Sequence, residues 1–198
     1  MLIAGPTGSG KTIWVKKLID KLPIVCDIIP QRIVYFYGQY QPIFSQFKNV
    51  NFVRGLPERI LSSFSGQFPE LVIIDDLMAE SSKSEIVSDL FTKGSHHRNL
   101  CIIFITQNFF MRGKENRNIT LNSHSIVLFK NPRDKSLAAN IARQMYPNKI
   151  KGFQAAFEDA TSSPYSYLFI DLKPDTPEEI RISSNILRES NYATVYML

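Results

Sequence analysis

Cysteine is scarce in this chain, long apolar runs are missing, and acids are nearly absent from one stretch. The two cysteines among 198 residues, Cys26 and Cys101, are too few for a disulfide framework and imply no redox chemistry or metal site. Each sits in or beside an apolar run and is expected to act as a small buried hydrophobe. No apolar stretch approaches the roughly 20 residues that cross a bilayer. The N-terminus also lacks the long apolar segment and cleavage site of a secretory signal. A soluble, intracellular protein without a membrane anchor is expected. His96 and His97 are adjacent rather than three or four apart, so they do not form a metal pair on one helix face and read as polar loop residues. No repeat, linker or low-complexity tract appears. A chain of this length with 44% apolar residues predicts a single domain over residues 1–198.

The formal charge of +5 is unevenly spread. From Lys93 to Lys151 eleven Lys and Arg stand against two acids, Glu115 and Asp134. Such a stretch is either a solvated face or the footprint of a polyanion such as DNA.

What the chain does have is a run close to its start, Gly5-Pro6-Thr7-Gly8-Ser9-Gly10-Lys11-Thr12, that fits G-x-x-x-x-G-K-[ST] at every specified position. Apolar Leu2-Ile3-Ala4 precedes it as a strand; Ile13, Trp14, Val15, Leu18, Ile19 and Leu22 follow at helical spacing. Strand, glycine-rich turn and helix together predict a phosphate cradle. Backbone N–H groups surround the phosphate oxygens, and the helix beginning at Lys11 aims its positive end at them. Lys11 would contact the β- and γ-phosphates of ATP and Thr12 would ligate Mg²⁺. Only four residues precede Gly5, which leaves room for a short first strand and fits a natural chain that begins further upstream.

Apolar runs alternate with helical patterns beyond this point, the mark of an α/β fold with a mostly parallel central sheet flanked by helices. Strands are predicted at Leu2–Ala4, Ile33–Tyr37, Leu71–Asp75, Ile102–Thr106, Ser125–Phe129 and Tyr167–Leu172. Helices are predicted at Lys11–Leu22, Glu58–Ser63, Lys83–Thr92, Pro132–Met145 and Gln154–Ala160. Asn131 as N-cap, Pro132 at the first helical position and Asp134 in the first turn mark the start of the fourth helix. That start places Arg133 at the C-terminal edge of the sheet, where open α/β sheets bind ligands. The segment from Tyr167 to Ile186 reads as two strands around a Pro-rich turn, a C-terminal β-hairpin.

The strand Leu71-Val72-Ile73-Ile74 ends in Asp75-Asp76, as the second half of a P-loop ATPase site requires. In that role Asp75 holds Mg²⁺ and Asp76 orients or deprotonates the attacking water; a solvated Asp-Asp turn is the bland alternative. The next strand ends in Gln107, suited to contacting the γ-phosphate or the water, or simply to capping the turn into Asn108 and Phe109.

The P-loop, the VIIDD strand, the segment GSHHRNLCIIFITQNFF and the following LNSHSIVLFKNPRD resemble the genome-packaging ATPases of the FtsK/HerA superfamily. The version is that of Polinton-like elements, adintovirus-like viruses and, more distantly, poxviruses and other large DNA viruses. The likeness runs through IARQMYP to YLFIDLKPDTPEEIRISSNI and so covers nearly the whole chain. It implies a RecA/FtsK-like P-loop NTPase, working as a ring, with a hexamer favoured, that hydrolyses ATP and pumps double-stranded DNA into a capsid. Residue by residue it implies Lys11 and Thr12 as phosphate and Mg²⁺ contacts, Asp75 as the metal acid, Asp76 as the base where many members carry Glu, and Gln107 as the γ-phosphate sensor. Portal or vertex proteins of the capsid are the implied partners. The implied location is an infected cell, in the nucleus or a cytoplasmic viral factory, or the virion itself. Catalysis shared between subunits also needs a cation from the neighbour, and Arg98 and Arg133 are the candidates, each with a surface ion pair or a DNA phosphate as its other use. A helicase or replication ATPase, and a small-molecule kinase, are the competing functions for the same P-loop.

Overall fold

The structure, a computed structural model, describes residues 1–57, 60–75, 77, 81–94, 99–110, 114–187 and 192–198. For residues 61, 62, 81–84, 93, 94 and 114–116 it describes the backbone alone. The chain is a mixed α/β protein that divides into two compact units interleaved in sequence. The first comprises Met1–Leu2, Val15–Thr106 and Phe110–Ser123; the second comprises Ile3–Trp14, Gln107–Phe109 and His124–Leu198. The first strand, β1, is Leu2–Ala4, and the first helix, α1, is Lys11–Asp20. Four residues, Leu22–Val25, form the short α2.

In the first unit β2 (Arg32–Tyr37), β3 (Asn51–Arg54), β4 (Glu70–Asp75) and β5 (Leu100–Thr106) pair in parallel in the order β3-β2-β4-β5. All six residues of β4 are buried, which is why its sequence is an unbroken apolar run flanked by acids rather than an alternation. β3 at the edge is exposed at Asn51 and Arg54 and has no such run, so the sequence pattern did not mark it. Tyr35, Phe44, Phe47 and Phe52 pack ring against ring with centroids 4.6 to 6.3 Å apart, which ties the Pro42–Gln46 3₁₀ turn to β2 and β3. The buried Glu70 carboxylate pairs with Arg32, whose guanidinium also donates to Ser63 O at 2.9 Å and lies 5.2 Å from the Phe64 ring centre. Helix α3 (Ser81–Asp89) runs on into a π-turn at Leu90–Gly94 and packs on α4 (Lys114–Leu121), a helix with too few apolar residues to be predicted. The helix expected at Glu58–Ser63 is described only as a 3₁₀ turn, Ile60–Ser63.

In the second unit β6 (Ser125–Phe129) pairs antiparallel with β7 (Tyr167–Asp171), β7 with β8 (Ile182–Ser184), and β8 with β9 (Thr194–Val195). The reversal between β6 and β7 follows from two consecutive helices, α5 (Leu137–Met145) and α6 (Ile150–Ala160), which pack on each other in that connection. Arg181 holds the Pro-rich loop between β7 and β8, donating to the carbonyls of Asp171, Lys173 and Thr176 at 2.8, 3.0 and 2.8 Å.

Three expectations need correction. α5 begins at Leu137, not Pro132, because Asn131 and Asp134 spend their side chains on local turns: Asn131 Oδ1 accepts from Arg133 N, and Asp134 Oδ1 from Ser136 N and Oγ. Neither cysteine is buried; Cys26 is half-buried after α2, and Cys101 faces solvent near the start of β5. Ile13 is 43% exposed, on the outer side of the helix whose Trp14, Val15, Leu18 and Ile19 are buried. Among the described residues no helix is long and apolar enough to cross a membrane.

Candidate functional site

The Gly5–Thr12 turn lies in the second unit. Its shape is set by contacts that permit no side chain. A Cβ on Gly5 would stand 2.6 Å from Phe129 Cβ and 2.8 Å from Ser9 Oγ, so the turn is pressed onto the end of β6 at a residue that must be glycine. Gly8 and Gly10 take φ of 77° and 102°, which an L side chain rarely adopts. Ser9 N–H donates to Pro6 O at 3.2 Å, closing the turn, and Trp14 N–H donates to Gly10 O at 2.9 Å as the first bond of α1. Helix and turn are therefore continuous, with the positive end of the α1 dipole at the loop.

Lys11 is half-buried, and its ammonium donates to Gly5 O at 2.7 Å and Pro6 O at 2.9 Å. The charge is thus held over the turn it would serve. Thr12 is half-buried on the same helical turn. Ser9 Oγ is buried without a hydrogen-bond partner among the described residues, a hydroxyl inside the loop that a phosphate oxygen would satisfy. The arrangement fits a phosphate chain: a main-chain concavity, one fixed cation and an orphaned hydroxyl.

The chain is similar in fold to a viral NTPase. The genome packaging NTPase B204 from Sulfolobus turreted icosahedral virus 2, solved in complex with ATPγS, superposes with a TM-score of 0.53 at 13% sequence identity, covering 88% of this chain and 93% of that one. No protein-family model matches the sequence, and no curated protein does.

Asp75 closes β4 in the first unit and is buried. Tyr35 Oη donates to its Oδ2 at 2.8 Å, and Gln41 Nε2 reaches the same oxygen at 3.4 Å. Tyr35 was not singled out from sequence, though a fully buried tyrosine must find a partner for its hydroxyl. Gln107 follows β5 directly, is exposed, and belongs to the same unit as the Gly5–Thr12 turn. Arg133 is exposed in the turns before α5. Asp76 and Arg98 lie outside the described residues.

Residues missed by sequence reasoning complete the surroundings of the loop. A cleft of about 390 Å³ opens beside Gly8 and Ser9, walled by Phe129, Lys130 and the segment 161–166. Tyr165 stands against the loop, its Cδ1 3.1 Å from the place a Gly10 Cβ would take. No sequence pattern connects Gly10 with Tyr165, because only the fold brings the α6–β7 connection back to the loop. Lys130 was counted within the basic stretch and not as part of this cleft.

Proposed function

We propose that the chain is an ATP-hydrolysing motor subunit of the FtsK/HerA superfamily that moves double-stranded DNA into a viral or virus-like capsid. The observation that carries this reading is the loop geometry, with Gly5 pressed on Phe129, Gly8 and Gly10 at positive φ, and Lys11 fixed over the turn. The fold likeness to a genome packaging NTPase supports it. Lys11 and the loop N–H groups hold the β- and γ-phosphates and stabilise the charge that shifts to them as the terminal phosphoryl group leaves. Mg²⁺, when bound, neutralises phosphate charge; Thr12 and Asp75 are the residues that would hold it. Asp76 takes the proton of the attacking water, which bonds to the γ-phosphorus as ADP departs. Gln107 contacts the γ-phosphate, so its surroundings differ before and after cleavage.

In a ring, with a hexamer favoured, Arg98 or Arg133 reaches the neighbouring subunit's nucleotide. Arg133, Lys135, Arg143, Lys149 and Lys151 are all exposed in the second unit and supply positive surface for DNA phosphates, with Arg117 exposed in the first. A translocating motor must release each register, so phosphate contacts suit it and base-specific ones would trap it. The ring would work at a capsid portal or vertex inside an infected cell, in the nucleus or a cytoplasmic factory.

ATP hydrolysis measured with and without blunt duplex DNA, alongside a strand-separation assay on the same duplex, tests the reading. Stimulation by duplex without strand separation is expected. Strand separation would favour a helicase, and hydrolysis indifferent to DNA would favour a small-molecule kinase.

A further inference from the structure

We propose that the cleft beside the P-loop seats the adenine base of the nucleotide, with the Tyr165 ring as its stacking platform; this deepens the nucleotide reading above and rests on it. Its volume of about 390 Å³ falls in the range of small-molecule sites. Its walls combine what a nucleoside phosphate needs: the Gly8-Ser9 main chain, the exposed Lys130 ammonium, the exposed hydroxyl residues Ser162 and Ser163, and an aromatic ring.

Tyr165 is the telling residue. It is 65% exposed, so burial does not account for where its ring lies. Its φ is 62°, in the left-handed region. The other described non-glycine residues there are Asn49, Asn99 and Asn185, of a type that tolerates that conformation, whereas tyrosine does not. A strained backbone that persists at the rim of a cleft points to use of the side chain it displays. The segment around it is held firmly: Ser163 O accepts from Ser166 N at 3.2 Å and Ser166 Oγ at 2.6 Å, and Thr161 Oγ1 donates to Phe157 O at 2.7 Å. With the ring edge against Gly10, the residue before Lys11, a nucleotide whose phosphates occupy the loop has its base within reach of Tyr165.

The test is equilibrium binding of two probes, ATP and inorganic tripolyphosphate, each with Mg²⁺, to the full chain and to Tyr165→Ala and Tyr165→Phe. Tyr165→Ala is expected to weaken ATP about fivefold to a hundredfold, the loss of one base–aromatic stack, and to leave tripolyphosphate within about twofold. Tyr165→Phe, which keeps the ring, should bind both as the parent does. Equal weakening of both probes by Tyr165→Ala would show that Tyr165 only props Gly10 and would overturn the proposal, as would unchanged ATP affinity. A parent chain that binds neither probe would instead sink the P-loop reading itself, and the base site with it.

Discussion

The phenol of Tyr35, at the buried centre of β2, donates a 2.8 Å hydrogen bond to Oδ2 of Asp75, the last residue of β4. Gln41 Nε2 approaches the same oxygen at 3.4 Å. The strand register sets Tyr35 opposite Ile73 and Tyr37 opposite Asp75, so the bond runs diagonally between neighbouring strands and fixes the carboxylate's rotation. In the proposed function Asp75 would hold a cation, a task that needs its carboxylate in one orientation, and the bond from Tyr35 helps to set that orientation.

Tyr35→Phe should therefore raise the Mg²⁺ concentration needed for half-maximal ATP hydrolysis about tenfold, with much of the rate recovered at saturating Mg²⁺. A Mg²⁺ titration of both proteins at fixed ATP checks this. An unchanged midpoint, accompanied only by a lower Tm, would mean that Tyr35 supports the strand and not the carboxylate.

Gly5→Ala tests the seating of the loop on β6. The new Cβ would lie 2.6 Å from Phe129 Cβ, on a residue that is itself buried, so the turn must move away. Overpacking of this kind costs about 1–3 kcal/mol, and ATP affinity should fall with stability. Calorimetry with and without ATP would contradict the account if Tm and affinity both matched the parent.

The elements most legible in sequence were those whose pattern is local. β4 is an apolar run closed by acids, and the strand, turn and helix around Lys11 are contiguous, so periodicity and glycine spacing were enough to place them. β3 and α4 escaped because each carries few apolar residues in its sequence, so no apolar periodicity marks it. The start of α5 was misplaced because Asn131 and Asp134 are as good at capping a turn as a helix, and sequence does not say which N–H each will take. Tyr35 and Tyr165 were missed for a different reason: their partners, Asp75 and Gly10, lie far along the chain and are supplied only by strand pairing and by the return of the α6–β7 connection.

Glu70 is a second buried carboxylate, with 0% side-chain exposure and an Oε2 that has no partner among the described residues; Arg32 pairs with Oε1. Arg32→Ala leaves that charge uncompensated and should lower stability by about 3 kcal/mol. Adding Glu70→Gln should return part of the loss, since the amide carries no charge to bury. Denaturant titration of the four proteins of the cycle decides it, and strictly additive effects would contradict the pairing.

Sharing of catalysis between subunits is tested by mixing. If Arg133 completes a neighbour's site, adding Arg133→Ala protein to the parent should depress hydrolysis more than dilution does, because one defective member silences the next. Activity proportional to the parent fraction would exclude Arg133 from that role and direct the same experiment to Arg98.

The most direct test of the central claim is displacement of a triplex-forming oligonucleotide from duplex DNA, followed with ATP, with ATPγS and with the Lys11→Ala protein. In the proposed function, the ammonium that Gly5 O and Pro6 O hold over the loop would both bind the phosphates and stabilise the departing charge. The account predicts displacement by the parent with ATP, none with ATPγS, and none by Lys11→Ala with either nucleotide. Displacement by Lys11→Ala at the parent rate, or hydrolysis by the parent that never displaces the third strand, would contradict it.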